Sequence, residues 1–280
     1  VLGISVSAIL VRFSEAPATV TAFYRLFFSV LFLTPMLFAN PAYRNELAKC
    51  SRQNFLLSAC SGIFLALHFS FWFESLFHTS VASSTEIVCT EVIWVAIGSA
   101  LFLKERLSKT AVLSIVLTLF GSSMIALSDS ASSGVSGNEL YGDILSLLAA
   151  IFVAVYTLIG RKVRAKLSTT VYTYIVYFFC MLSLAAAMLT RSTHFGNYGW
   201  NPVICGLLLG IFSTLFGHSI FSWCLKYFSP TFVSATKLCE PIAASIFAFF
   251  LFGEVPVMLQ IIGGGITIGG VFLYSYVESK

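Results

Sequence analysis

The sequence is built from apolar runs, most of them near the length of a membrane crossing, separated by short clusters of charge. A helix needs about 20 apolar residues to cross the hydrocarbon core of a bilayer. Ten runs are found, over roughly residues 1–14, 18–38, 55–77, 80–103, 110–127, 140–160, 169–190, 203–225, 230–251 and 256–276. The first is too short to span, which predicts that its helix begins upstream of Val1. A cleaved signal peptide fits less well, because Arg12 and Glu15 close the run without a small-residue cleavage site. Only 10% of the 280 residues are charged, and the mean hydropathy is +0.92. A water-soluble chain carries about 25% charged residues to wet its surface. A soluble globular protein, a disordered chain and a nucleic-acid binder resting on basic patches are therefore excluded, and lipid is the solvent for most of the molecule. The seven cysteines form no CxxC pair and mostly lie within apolar runs, so they read as small buried hydrophobes.

The distribution of Lys and Arg orients the chain. The 2–3 loop holds Arg44, Lys49 and Arg52, and the 4–5 loop holds Lys104, Arg106 and Lys109. The 6–7 loop holds Arg161, Lys162, Arg164 and Lys166, the 8–9 loop Lys226 and the tail Lys280. Twelve of the sixteen basic residues thus share one face, while the opposite loops hold only Arg191. Ten spans put both termini on that basic, cytoplasmic side.

An offset of 149 residues places Glu91 on Glu240, Glu105 on Glu254, Gly121 on Gly270 and Arg12 on Arg161. Acids are too scarce here for two aligned glutamate pairs to be a casual match. An internal repeat of five helices, an odd number, must enter the membrane upside down the second time, which is an architecture of secondary transporters. The expected fold is an all-α polytopic membrane protein of ten helices in two inverted five-helix repeats, residues 1–127 and 140–276, joined by an external linker at 128–139.

Several stretches also carry a family resemblance. Gly142-Asp143, Ala150, Tyr156 and Arg161-Lys162 resemble the opening of the second repeat in the EamA family of drug/metabolite transporters. So do Glu240-Pro241, Phe252-Gly253-Glu254 and the glycine-rich last run from Gln260 to Tyr274. In the first half, His68 to Trp72, Thr79 to Ser83 and Phe102 to Leu107 are similar to the same family. The resemblance covers essentially the whole chain and implies a ten-helix carrier of small metabolites, usually bacterial. It names no substrate. One departure is visible in the fourth run, where similar sequences often have an apolar residue and a proline and this one has Glu86 and Glu91.

An ionisable side chain inside a membrane is costly unless it is paired or faces water, so each is a site candidate. Glu91 and Glu240 fall midway along the fourth and ninth runs, near the depth where inverted-repeat carriers bind substrate. Glu86 lies five residues from Glu91, and Lys237 three residues before Glu240 on the same helix face. Lys237 with Glu240 or with Glu91 reads as a structural ion pair. The other reading is that Glu91, with Glu86, faces a central cavity and binds a cation or a proton. Arg25 could hold a substrate carboxylate or pair with a cavity glutamate. Arg12, Glu15, Glu74 and His78 read as anchors at the outer boundary, and Glu105 and Glu254 as ties at helix ends. His68 and His218 fall at similar depths in the two halves, as packing residues or proton relays. Trp72, Trp94, Trp223, Tyr24 and Tyr156 are candidate cavity walls, since aromatic faces attract organic cations. Gly206/Gly210 and Gly265/Gly269 have the spacing for close helix crossing.

No HExxH, GxSxG or membrane-protease Asp pair is present, so an enzyme is not expected, and neither a cofactor nor a metal is implied. Nothing resembles a channel filter. The reading is a multi-pass carrier of the cell membrane whose partners are the lipid bilayer and a small-molecule substrate, cationic or amine-bearing. Zwitterionic amino acids or amphipathic drugs are the alternative cargo, with Arg25 taking a carboxylate. A proton is the candidate coupling ion.

Overall fold

A computed structural model describes residues 1–79, 81–104, 108–130, 138–190, 198–240, 242–243, 246 and 258–278. The regular elements among them are all helical. In chain order they are α1 (Leu2–Ser5), α2 (Ser7–Phe13), α3 (Ala18–Ala39), α4 (Pro41–Ala48), α5 (Arg52–Ser75), α6 (Val81–Cys89) and α7 (Glu91–Gly98). After a π-helical segment (Ser99–Leu103) come α8 (Lys109–Ser130), α9 (Glu139–Arg164), α10 (Thr169–Thr190) and α11 (Asn201–Leu208). A second π-helical segment (Leu209–His218) precedes α12 (Ser219–Cys224), α13 (Pro230–Lys237) and α14 (Met258–Glu278). Seven helical stretches among the described residues are long and apolar enough to cross a membrane, and Leu2–Phe13 is a shorter one. Glu105, Glu254, Arg191 and most of the 128–139 linker lie outside the described residues.

Local sequence explains where several helices start. Asn40, Ser51, Asn138 and Ser229 each use a side-chain oxygen to accept a backbone N–H of the first helical turn of α4, α5, α9 and α13. Prolines sit just inside α4 and α13, where the missing N–H costs nothing. Helix α4 is an addition to the sequence reading, which left the basic 2–3 loop without structure. Its Glu46 accepts the N–H of Ser168, so this loop is tied to the 6–7 loop.

Two spans read as continuous are interrupted near their middle. In the fourth, the Thr90 N–H and Oγ1 both donate to the Ile87 carbonyl, at 3.1 and 2.6 Å, closing a tight turn from which α7 restarts at Glu91. In the ninth, the Cys239 N–H donates to the Thr236 carbonyl at 3.3 Å, immediately before Glu240. Residues 87 and 90 become 236 and 239 at the offset of 149, so the break repeats together with its glutamate. Glu91 in the first turn of α7 lies at the positive end of the helix dipole.

Several helix pairings among the described residues recur when the two halves are exchanged. Helix α3 packs on α11 and the second π segment, as α10 packs on α5; α5 packs on α9, as the second π segment packs on α1. Helices α3 with α10, α7 with α13 and α8 with α14 pair across the halves. The α8–α14 crossing is close. A Cβ built on Gly121 would lie 2.5 Å from the Gly263 carbonyl and 2.7 Å from the Thr267 nitrogen. One built on Gly270 would lie 3.0 Å from the Ser114 carbonyl and 2.9 Å from the Thr118 nitrogen. Positions 114, 118 and 121 map to 263, 267 and 270 at the same offset.

This corrects one expectation. Gly206 and Gly210 do back onto Tyr24, Arg25 and Phe28, but a Cβ on Gly265 or Gly269 would meet nothing within 4 Å among the described residues. Residues 263, 267 and 270 share one face of a 3.6-residue helix, whereas 265 and 269 share a different one. Spacing alone does not say which of two interleaved rows of small residues meets a neighbour. On the outer surface, Leu101, Phe120, Leu189 and Phe272 are more than half exposed, as suits a molecule wetted by hydrocarbon.

Candidate functional site

The two helix breaks face each other at the centre of the molecule. Lys237 at the end of α13 places its Nζ 2.7 Å from Oε1 of Glu91 at the start of α7, joining the two halves through a buried ion pair. Glu240 follows one helical turn after Lys237 and is also buried. All three line a small cavity of about 40 Å³, shared with His68 and Trp72 of α5, Thr85 of α6, His218 and Ser7. Such a space holds a water or two and no metabolite, so the conformation is closed around its polar centre.

The polar walls are only partly satisfied. His68 is bonded through Nδ1 to the Ala149 carbonyl at 3.0 Å. A carbonyl can only accept, so Nδ1 carries the proton and Nε2 is left as an acceptor. The ring stacks on Trp72, with centroids 5.7 Å apart. Trp72 Nε1, Thr85 Oγ1 and His218 Nδ1 are buried with no hydrogen-bond partner among the described residues. Buried polar atoms are rarely left unmatched, and each costs about 1–3 kcal/mol. Three such atoms stand around one cavity.

Arg25 lies behind this cavity and is completely buried. Its Nε donates to Thr214 Oγ1 at 2.8 Å and its Nη1 to Ser7 Oγ at 3.3 Å, while Nη2 has no partner among the described residues. The guanidinium carbon stands 4.1 Å from the centroid of the Phe69 ring. Tyr156 reaches the neighbouring wall and shares a 2.9 Å hydrogen bond with Ser222. With Glu91, Glu240, Lys237 and Arg25 ionised, the core holds two charges of each sign.

Other sequence candidates stand elsewhere. Glu86 turns towards α8, accepting hydrogen bonds from Ser122 at 2.6 Å and Ser123 at 2.8 Å. Trp223 is about half exposed and packs on Tyr227, with centroids 4.9 Å apart. Tyr24 lies against Gly206, and Trp94 is half-buried on α7 without lining the cavity. At the outer boundary Arg12 donates to the Thr79 carbonyl and His78 meets Glu74 at 3.4 Å. Sequence reasoning missed Ser7, Thr85 and Thr214, since single hydroxyls in apolar helices give no distinguishing signal.

The long apolar helices define a polytopic membrane protein, whose centre is charged and incompletely satisfied among the described residues. Residues 1–127 and 140–276 match the EamA-like transporter family, and the chain belongs to that family. It is similar to an uncharacterized transporter of Archaeoglobus fulgidus, 28% identical over 258 residues, or 90% of this chain and 86% of that one. It is similar to the pseudopaline exporter CntI of Pseudomonas aeruginosa, 26% identical over 258 residues and covering 89% and 84% of the two chains. A chain of known crystal structure shares the fold with a TM-score of 0.77 at 16% identity, covering 99% of this chain and 94% of that one.

Proposed function

We propose that this transporter is a secondary carrier of the cell membrane, with both termini cytoplasmic, moving a small cationic or amine-bearing metabolite by alternating access. Its ten helices form two inverted five-helix repeats, residues 1–127 and 140–276. The helix breaks and the α8–α14 contacts that recur at an offset of 149 support that architecture. The observation that carries the substrate reading is the cavity between the halves, where two buried carboxylates, Glu91 and Glu240, share walls with aromatic rings and unmatched polar atoms. A carboxylate beside aromatic faces suits an ammonium group by charge and by cation–π attraction. The relative named as a pseudopaline exporter supports outward transport of a solute.

A second reading has its own observation. The centre balances Glu91 and Glu240 against Lys237 and Arg25, and Arg25 Nη2, without a partner among the described residues, can take a carboxylate oxygen. That balance suits a zwitterion, with its amine on a glutamate and its carboxylate on Arg25. The proton remains the candidate coupling ion. The test is uptake of labelled organic cations and amino acids by proteoliposomes containing the full chain. Glu91→Gln is expected to reduce uptake at least tenfold, and undiminished uptake of every transported compound would remove Glu91 from the site. Loss of binding on deleting the ligand's amine supports the first reading, and on deleting its carboxylate the second.

A further inference from the structure

The ion pair at the centre has one acid more than a structural brace requires. Lys237 Nζ sits on Glu91 at 2.7 Å, yet Glu240, three residues further along the same chain segment, lines the same cavity. A lysine stem has four carbons and many rotamers, so the ammonium that meets Glu91 across the interface can also turn to Glu240, one helical turn along its own segment. Arg25 instead donates to the hydroxyls of Thr214 and Ser7. The ammonium of Lys237 also stands 5.3 Å from the centroid of Phe221, an aromatic wall of the same cavity. A ligand amine brought to Glu91 would find this charge and this wall already occupied, in a space too small for both groups.

We propose that Lys237 is a tethered competitor for the substrate: its ammonium occupies on Glu91 the seat of a substrate ammonium, and passes to Glu240 when substrate arrives. The inference rests on the amine-binding reading above and adds to it a residue that sets affinity. In the empty carrier the pair neutralises Glu91 at the interface of the halves. In the loaded carrier each of the two carboxylates has one ammonium. Substrate binding is thereby weakened by the cost of displacing Lys237, which favours release on the far side.

A brace and a competitor respond oppositely to removal. The test is thermal stabilisation of the detergent-purified full chain by butylammonium chloride, with sodium chloride at equal ionic strength as control. Lys237→Met is expected to respond at a concentration at least tenfold lower than the wild type, and Lys237→Met with Glu91→Gln is expected not to respond. An unchanged or weaker response of Lys237→Met overturns the inference. Should Lys237→Met not fold, Glu240→Gln removes the second seat in an otherwise charged site. It is expected to weaken the response at least tenfold, and an unchanged response overturns the inference. If the wild type responds and Glu91→Gln abolishes it, while Lys237→Met gains nothing and Glu240→Gln loses nothing, the tether alone falls. If the wild type and all variants ignore butylammonium, the amine-binding reading falls with it.

Discussion

Adding one methyl group at Gly121, or separately at Gly270, tests the crossing of α8 and α14. At Gly121 the new Cβ would stand 2.5 Å from the Gly263 carbonyl oxygen, and at Gly270 it would stand 2.9 Å from the Thr118 nitrogen. These neighbours are backbone atoms and cannot rotate away. Restoring an ordinary contact requires the helices to separate by about 0.5–1 Å, and a gap of that size forfeits a quarter to a half of the dispersion attraction across it. Overpacking of this kind costs about 1–3 kcal/mol. The same change at Gly265 or Gly269 meets nothing within 4 Å among the described residues, and Gly→Ala in an open helical position gains about 0.5–1 kcal/mol. Thermal unfolding of the purified chain in detergent, followed by intrinsic fluorescence, measures all four. Gly121→Ala and Gly270→Ala should lower the midpoint by similar amounts, and Gly265→Ala and Gly269→Ala should leave it unchanged or raise it. A stable Gly121→Ala protein, or a Gly265→Ala protein as damaged as Gly270→Ala, would refute the assigned contact faces.

Two further outcomes follow from the geometry. Glu91→Gln or Lys237→Met alone leaves a buried charge without its partner and should cost about 3–5 kcal/mol; the double variant should be more stable than the sum of the singles, as a double-mutant cycle of unfolding midpoints will show. Ser229→Ala removes the side-chain acceptor at the start of α13 and should cost about 1 kcal/mol, measurable as a lowered midpoint with cargo selectivity unaltered.

Much of the fold was legible because lipid imposes a length rule, and the seven long helical stretches coincide with sequence runs. The pairing of Glu91 with Glu240 by offset was also legible, because acids are rare in apolar helices and stand out. The break in the fourth span was not. Thr90 is an ordinary residue in an apolar helix with no glycine or proline at its turn, whereas in the ninth run Pro241, two residues past Cys239, is a break signal that the span count passed over. For the site, sequence named Lys237, His68, Trp72 and His218, which the fold gathers with the two glutamates around one cavity. It could not separate Glu86 from Glu91. Their spacing of five residues turns an ideal helix through 500°, some 140° from a shared face, and the break at Thr90 further alters where each points. Which acid faces the centre depends on neighbours far away in sequence, Ser122 and Ser123 for one and Lys237 for the other.

The turn at Thr90 divides the fourth span into two short levers. Helix α6 has nine residues, or about 13.5 Å at 1.5 Å per residue. A 20° swing about Thr90 would carry its far end about 5 Å sideways while Glu91 and α7 stay in place. Helix α13, with eight residues, has nearly the same reach about its own turn. Under the alternating-access reading proposed above, a doorway for a small molecule would open by moving half a span at a time, with the charged centre as the pivot.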